Sequence, residues 1–113
     1  MCRAHPKHTD RKMTYQALEA KIIRWAEDRQ IIQHSNCMAQ AIKTMEEVNE
    51  LLEAIHCGDK AAQADAYGDI LVTLIVGCAT AELDLMVCLE DAYNQIKDRK
   101  GNLTAQGVFV KEA

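Results

Sequence analysis

Four glutamates, Glu46, Glu47, Glu50 and Glu53, fall within one short stretch of the chain, and two aspartates, Asp65 and Asp69, follow after a spacer. On a helix, Glu47 and Glu50 are i,i+3 neighbours and Glu46 and Glu50 are i,i+4 neighbours, so their carboxylates share a face and repel one another unless a cation neutralises them. Asp65 and Asp69 stand i,i+4, and Asp69 leads directly into the apolar run ILVTLIV. A carboxylate at the border of a core segment is costly to desolvate unless it pairs with a base or binds a metal. Oxygen donors without His or Cys among them select a hard divalent cation, Mg²⁺ or Mn²⁺, over zinc. Such a cation can anchor substrate phosphates and lower the pKa of a bound water. A second group, Asn94, Lys97, Arg99 and Lys100, combines one amide with three bases near the end of a later apolar-periodic segment. It can complement an anionic substrate, or cap a helix and keep it soluble.

The elements that must position these groups read as helices. From Thr14, a plausible N-cap, Leu18, Ile22, Trp25 and Ala26 follow helical spacing to about Arg29. Ile31 to Ser35 reads as a connection. Ser35 or Asn36 can cap a second helix to about Cys57, closed by Cys57-Gly58-Asp59. Its apolar stripe is Met38, Ala41, Ile42, Met45, Val48, Leu52 and Ile55, broadened by Leu51; Lys43 and Glu46, Glu47, Glu50 and Glu53 occupy a polar arc from about 80° to 200° away from Met45. An apolar arc that wide calls for more than one packing neighbour. A third helix starts at Asp59 or just after and turns apolar on nearly every side beyond Asp69. Its β-branched residues would also suit a buried strand, but the alanine-rich stretch before it continues in phase and no second strand is available to pair with it. Asp84 caps a fourth helix on Leu85, Cys88, Leu89, Ala92 and Ile96, which ends in Lys97-Asp98-Arg99-Lys100-Gly101. The tail with Val108, Phe109 and Val110 looks extended.

The whole is small. With 113 residues, 49% hydrophobic and 4% aromatic, the chain supports one modest core, hence a flexible basic arm over 1–13 and one all-α domain over 14–113. A net charge of −4 gives no footprint for a polynucleotide. The longest apolar run is too short to span a bilayer, and five cysteines without a C-x-x-C pair read as reduced thiols of a cytoplasmic protein. The expected architecture is four to five helices in an antiparallel bundle. The half-apolar second helix and all-round apolar third exceed what four short helices can cover, so the bundle is expected to be completed by oligomerisation.

Three blocks, MEEVNELLEAI, GDKAAQADAYGDILVTLIVGCA and CLEDAYNQIKDRKG-x(6)-FVKE, in that order resemble the MazG-like branch of the all-α NTP pyrophosphohydrolases, over about residues 20 to 112. The family motif is E-x-x-E, a spacer, then E-x-x-D. Glu47 and Glu50 match its first half and Asp69 its last position; the position three before Asp69 is Ala66, and an acid stands instead at Asp65. The resemblance implies hydrolysis of a nucleoside triphosphate between the α and β phosphates, with Mg²⁺, in a homodimer or homotetramer. It implies that Glu47, Glu50 and Asp69, with Asp65, hold the metal, and that Glu46 is a further ligand or the base that orients the attacking water. Asn94, Lys97, Arg99 and Lys100 are then expected at base, sugar or phosphates, with Lys43 also on the substrate side and Trp25 flanking the base.

Overall fold

In the computed structural model, which describes residues 13–112, the chain forms five helices and a two-stranded hairpin. The basic arm expected over residues 1–13 lies outside the described residues apart from Met13. Each longer helix opens where a short polar side chain takes up a backbone amide. Thr14 Oγ1 accepts from Ala17 at 3.1 Å before α1 (Tyr15–Asp28). Gln30, at φ 64, turns the chain into the single-turn α2 (Ile31–His34). Asn36 Oδ1 accepts from Ala39 at 2.8 Å before α3 (Cys37–His56), and Asp59 Oδ1 from Ala62 at 3.0 Å before α4 (Lys60–Thr80). Each such cap is worth about 1 kcal/mol.

Closure is equally local. At the end of α3, Gly58 takes φ +67, so that its amide donates to the Ile55 carbonyl and the Asp59 amide to the Ala54 carbonyl, each at 3.0 Å. The end of α4 repeats this pattern with Glu82 in the left-handed position: Glu82 donates to Ala79 at 3.1 Å and Leu83 to Cys78 at 2.8 Å.

The chain divides into two compact units, one up to Leu83 and one from Asp84. In the first, α3 and α4 pack antiparallel along their length, and α1 and α2 also lie on α4. One register holds the central pair: Gly77 leaves room for Gln40, whose Cβ would stand 3.5 Å from a Cβ placed at Gly77; Thr44 and Thr73 hydroxyls lie 2.8 Å apart; Gln63 Nε2 donates to the Ala54 carbonyl at 3.5 Å. The buried apolar residues are Ala26, Ala54, Ala61, Ala66, Ile75 and Val76. Small side chains at the crossing allow close approach, and burying Ile75 contributes about 2 kcal/mol.

In the second unit, Asp84 Oδ1 accepts from Met86 at 2.9 Å and caps α5 (Leu85–Ile96). Strands β1 (Gly101–Leu103) and β2 (Phe109–Lys111) then pair antiparallel, Gly101 opposite Lys111 and Leu103 opposite Phe109. A Cβ at Gly101 would collide with the Val110 carbonyl and the Phe109 ring, so only glycine fits there.

The fold is all-α, as the periodicity indicates, with two departures. Ile31–Ser35 is not a bare connection, because the left-handed Gln30 lets the His34 and Ser35 amides reach the Gln30 and Ile31 carbonyls at 3.1 and 2.8 Å. More consequentially, the apolar stripe of α3 is not the face that meets α4: Met38, Met45 and Leu52 are 69%, 66% and 58% exposed, whereas Glu47 on the opposite arc is 9% exposed. Periodicity could not select the contact face, since α4 is apolar nearly all round and accepts a neighbour on any side.

None of Cys37, Cys57, Cys78 and Cys88 forms a disulfide among the described residues. No single described helix is long and apolar enough to cross a membrane.

Candidate active site

Glu47 sits midway along α3 on the side that faces α4, and Asp69 sits at the corresponding level of α4. Together with Glu50, one turn beyond Glu47, they bring three carboxylates together, with one oxygen from each within 4.8 Å of the others. Glu47 is buried, while Glu50 and Asp69 reach solvent. Its Oε2 is fully buried without a hydrogen-bond partner, and its Oε1 lies 3.8 Å from Lys43 Nζ. A hydrogen bond shared with Glu50, followed by burial and by the negative charges of Glu50 and Asp69, raises the Glu47 carboxyl above the usual glutamate range; the Lys43 ammonium opposes the shift. Lys43 in turn is held above its ordinary value, first by its hydrogen bond to Glu46 and then by the charges of Glu46 and Glu47, with Nζ 3.2 Å from Glu46 Oε2.

A buried oxygen left without a donor is costly, by about 1–3 kcal/mol. Three hard oxygen donors converging around it make a cation the natural partner, and the donor set fits Mg²⁺ or Mn²⁺.

The cluster opens into a cavity of about 750 Å³ between α1, α2, α3 and α4, with Lys43, Glu47, Asp69 and Thr73 on one side and Trp25, Arg29 and His34 on the other. Trp25 is 42% exposed, and the Arg29 guanidinium lies over its ring, 4.7 Å from the centroid, while Nη1 donates to the Trp25 carbonyl at 3.3 Å. A flat, half-exposed aromatic surface beside a carboxylate cluster can stack a planar ring. Gln40 Nε2 donates to Ser35 Oγ at 2.9 Å, and Gln30 Oε1 contacts His34 Nε2 at 3.1 Å, fixing polar side chains at the rim.

The cavity therefore collects Trp25, Lys43, Glu47 and Asp69, with Glu50 joined to them through the cluster. Glu46 stays exposed on its ion pair with Lys43. Asp65 lies outside the three-carboxylate group and lines a separate cavity of about 670 Å³ with Tyr15, Leu18 and Ile22 of α1; Asp69 and Val72 border both spaces. Asn94, Lys97, Arg99 and Lys100 belong to the second unit and are exposed there, Arg99 and Lys100 lining a cavity with Lys111 and Glu112. Arg29, Gln30, His34, Ser35, Gln40 and Thr73 were not foreseen as cavity residues. The i,i+4 relation of Trp25 and Arg29 was the available signal for one of them; the others depend on α2 folding over α4.

No curated protein and no solved structure matches the chain. The family model for phosphoribosyl-ATP pyrophosphohydrolase does match, over residues 15–99, about three-quarters of the chain. The matched span opens at the first residue of α1, takes in Glu46, Glu47, Glu50, Asp65 and Asp69, and stops before the hairpin. The chain thus belongs to the phosphoribosyl-ATP pyrophosphohydrolase family, within the MazG-like superfamily of nucleotide pyrophosphohydrolases.

Proposed function

We propose that this nucleotide pyrophosphohydrolase is dependent on Mg²⁺, or on Mn²⁺ in its place, and cleaves nucleoside or deoxynucleoside triphosphates to monophosphate and pyrophosphate, in a housecleaning role in the cytoplasm. The observation that carries the reading is the orphaned Glu47 Oε2 converging with Glu50 and Asp69 at the mouth of a cavity that also holds Trp25. Glu47, Glu50 and Asp69 would hold the metal, with Asp65 one turn away as a candidate outer partner. When bound, the cation would neutralise phosphate oxygens and lower the pKa of a water.

The chain's own groups supply the rest. Trp25 and Arg29 offer a stacking surface for the base. Lys43, tied to Glu46 and Glu47, would donate to a phosphate oxygen when those carboxylates turn to other partners. Glu46 is a further ligand or the base that takes the proton of the attacking water: the water oxygen bonds to the α phosphorus as the bond from that phosphorus to the α,β-bridging oxygen breaks, and the bridging oxygen leaves with pyrophosphate. A homodimer or homotetramer would cover the exposed stripe of α3.

The family name favours a second substrate, phosphoribosyl-ATP, whose triphosphate would be cleaved at the same bond. A panel of canonical and modified (d)NTPs together with phosphoribosyl-ATP, scored for pyrophosphate with and without Mg²⁺, separates the two. Release from (d)NTPs supports the first reading, and release confined to phosphoribosyl-ATP replaces it by the second.

A further inference from the structure

One half-buried polar contact between α3 and α4 uses neither a carboxylate nor a main-chain partner on the facing helix. Thr44 Oγ1 and Thr73 Oγ1 lie 2.8 Å apart, Thr73 Oγ1 donates to the Ile70 carbonyl at 2.7 Å, and Thr44 Oγ1 is 3.1 Å from the Gln40 carbonyl. Each hydroxyl has a single proton. One of the two hydroxyls therefore bridges the helices with its proton, while the other keeps its proton on a carbonyl of its own helix.

The location matters more than the bond. Thr44 precedes Glu47 by three residues and Thr73 follows Asp69 by four, so on each helix the hydroxyl stands one turn from a cluster carboxylate. Thr73 is 7% exposed and lines the same cavity as Glu47 and Asp69. Apolar contact along α3 and α4 is non-directional and tolerates sliding, whereas a short hydrogen bond does not. A slip of one helical residue moves a side chain by about 1.5 Å along the axis. That is a large error for oxygens that must converge within 4.8 Å.

We propose that Thr44 and Thr73 are positioning residues for the carboxylate cluster: their hydroxyl pair locks the register of α3 against α4 so that Asp69 meets Glu47 and Glu50. The inference rests on the metal reading given above. Its test is Mn²⁺ titration of the full chain by calorimetry, without nucleotide, for the wild type, Thr44→Val, Thr73→Val, Thr73→Ser and the core control Ile75→Val, with a thermal melt of each. Thr44→Val and Thr73→Val are expected to bind Mn²⁺ about 10-fold more weakly. Thr73→Ser keeps the hydroxyl and the affinity, and Ile75→Val loses stability while keeping the affinity. Should Thr73→Val not fold, Thr44→Val carries the test, because it leaves the Thr73 bond to Ile70 in place.

Valine variants that bind Mn²⁺ as the wild type does overturn the proposal. So does a weakening matched by Ile75→Val, which would mark general loosening of the core. A wild type that binds no Mn²⁺ overturns the metal reading and this inference with it, and is recognisable because the failure precedes any substitution.

Discussion

Glu47 concentrates the tension of the site in one carboxyl: it is buried, it stands against the carboxylates of Glu50 and Asp69, and one of its oxygens has no partner. Its pKa is raised on folding, so over the interval between the unfolded and folded values the native chain holds a proton that the unfolded chain has released. Stability of the metal-free protein therefore falls as pH rises through that interval. Metal binding runs the other way, because the ligand form is the carboxylate: affinity rises with pH through the raised Glu47 pKa as the proton is displaced, and levels off above it. Glu47→Gln removes the charge while keeping the shape. At neutral pH without metal it is expected to be more stable than the wild type by about 1 kcal/mol, roughly 5 °C in melting temperature, and to gain nothing from Mg²⁺. Paired melting curves with and without Mg²⁺ check both halves. A Glu47→Gln protein that melts lower without metal, or that Mg²⁺ stabilises as it does the wild type, contradicts this account of the residue.

Elements differ in how far the sequence declares them. Thr14, Asn36, Asp59 and Asp84 mark helix starts because capping is local chemistry, and the structure places a cap hydrogen bond at each. Gly58 marks a helix end for the same reason. What the sequence could not declare was which side of α3 meets α4. Its apolar stripe, centred on Met45, dominates the pattern, and the polar arc with Glu47 reads as solvated; the packing that buries Glu47 is set by long-range fit at Thr44, Ala54, Thr73 and Gly77, small residues with weak periodic signal. Of the site, Glu47, Glu50 and Asp69 were legible from helical spacing, whereas the rim on α2 was hidden by the left-handed turn at Gln30. Glu82 is another such turn, occupied by a residue that has a Cβ, at φ 59. Glu82→Gly is expected to raise stability by about 0.5–1 kcal/mol, since relief of the left-handed strain exceeds glycine's greater freedom in the unfolded chain. Chemical denaturation measures this directly, and a loss of stability would mean that the Glu82 side chain contributes more than its backbone costs.

At the scale of the whole molecule, the net charge of −4 takes on a local meaning, because three of the 17 acidic residues converge on one point where a divalent cation would offset them. The thin core has a counterpart too. Met38, Ile42, Met45, Leu52 and Ile55 form an exposed stripe on α3, Tyr67, Leu71 and Leu74 of α4 are exposed in the same compact unit, and the proposed oligomer accounts for this apolar surface. Met45→Glu is expected to shift the protein from oligomer to monomer in light scattering, and a wild type that is already monomeric at micromolar concentration contradicts that part of the reading. The most direct test of the central claim is pyrophosphate release from the nucleotide panel by the wild type and Glu50→Gln, each with Mg²⁺ and with excess chelator. Release by the wild type with Mg²⁺ is expected, abolished by chelator and lowered by at least about 100-fold in Glu50→Gln. Release that persists in chelator, release unchanged in Glu50→Gln, or none from any nucleotide would contradict it.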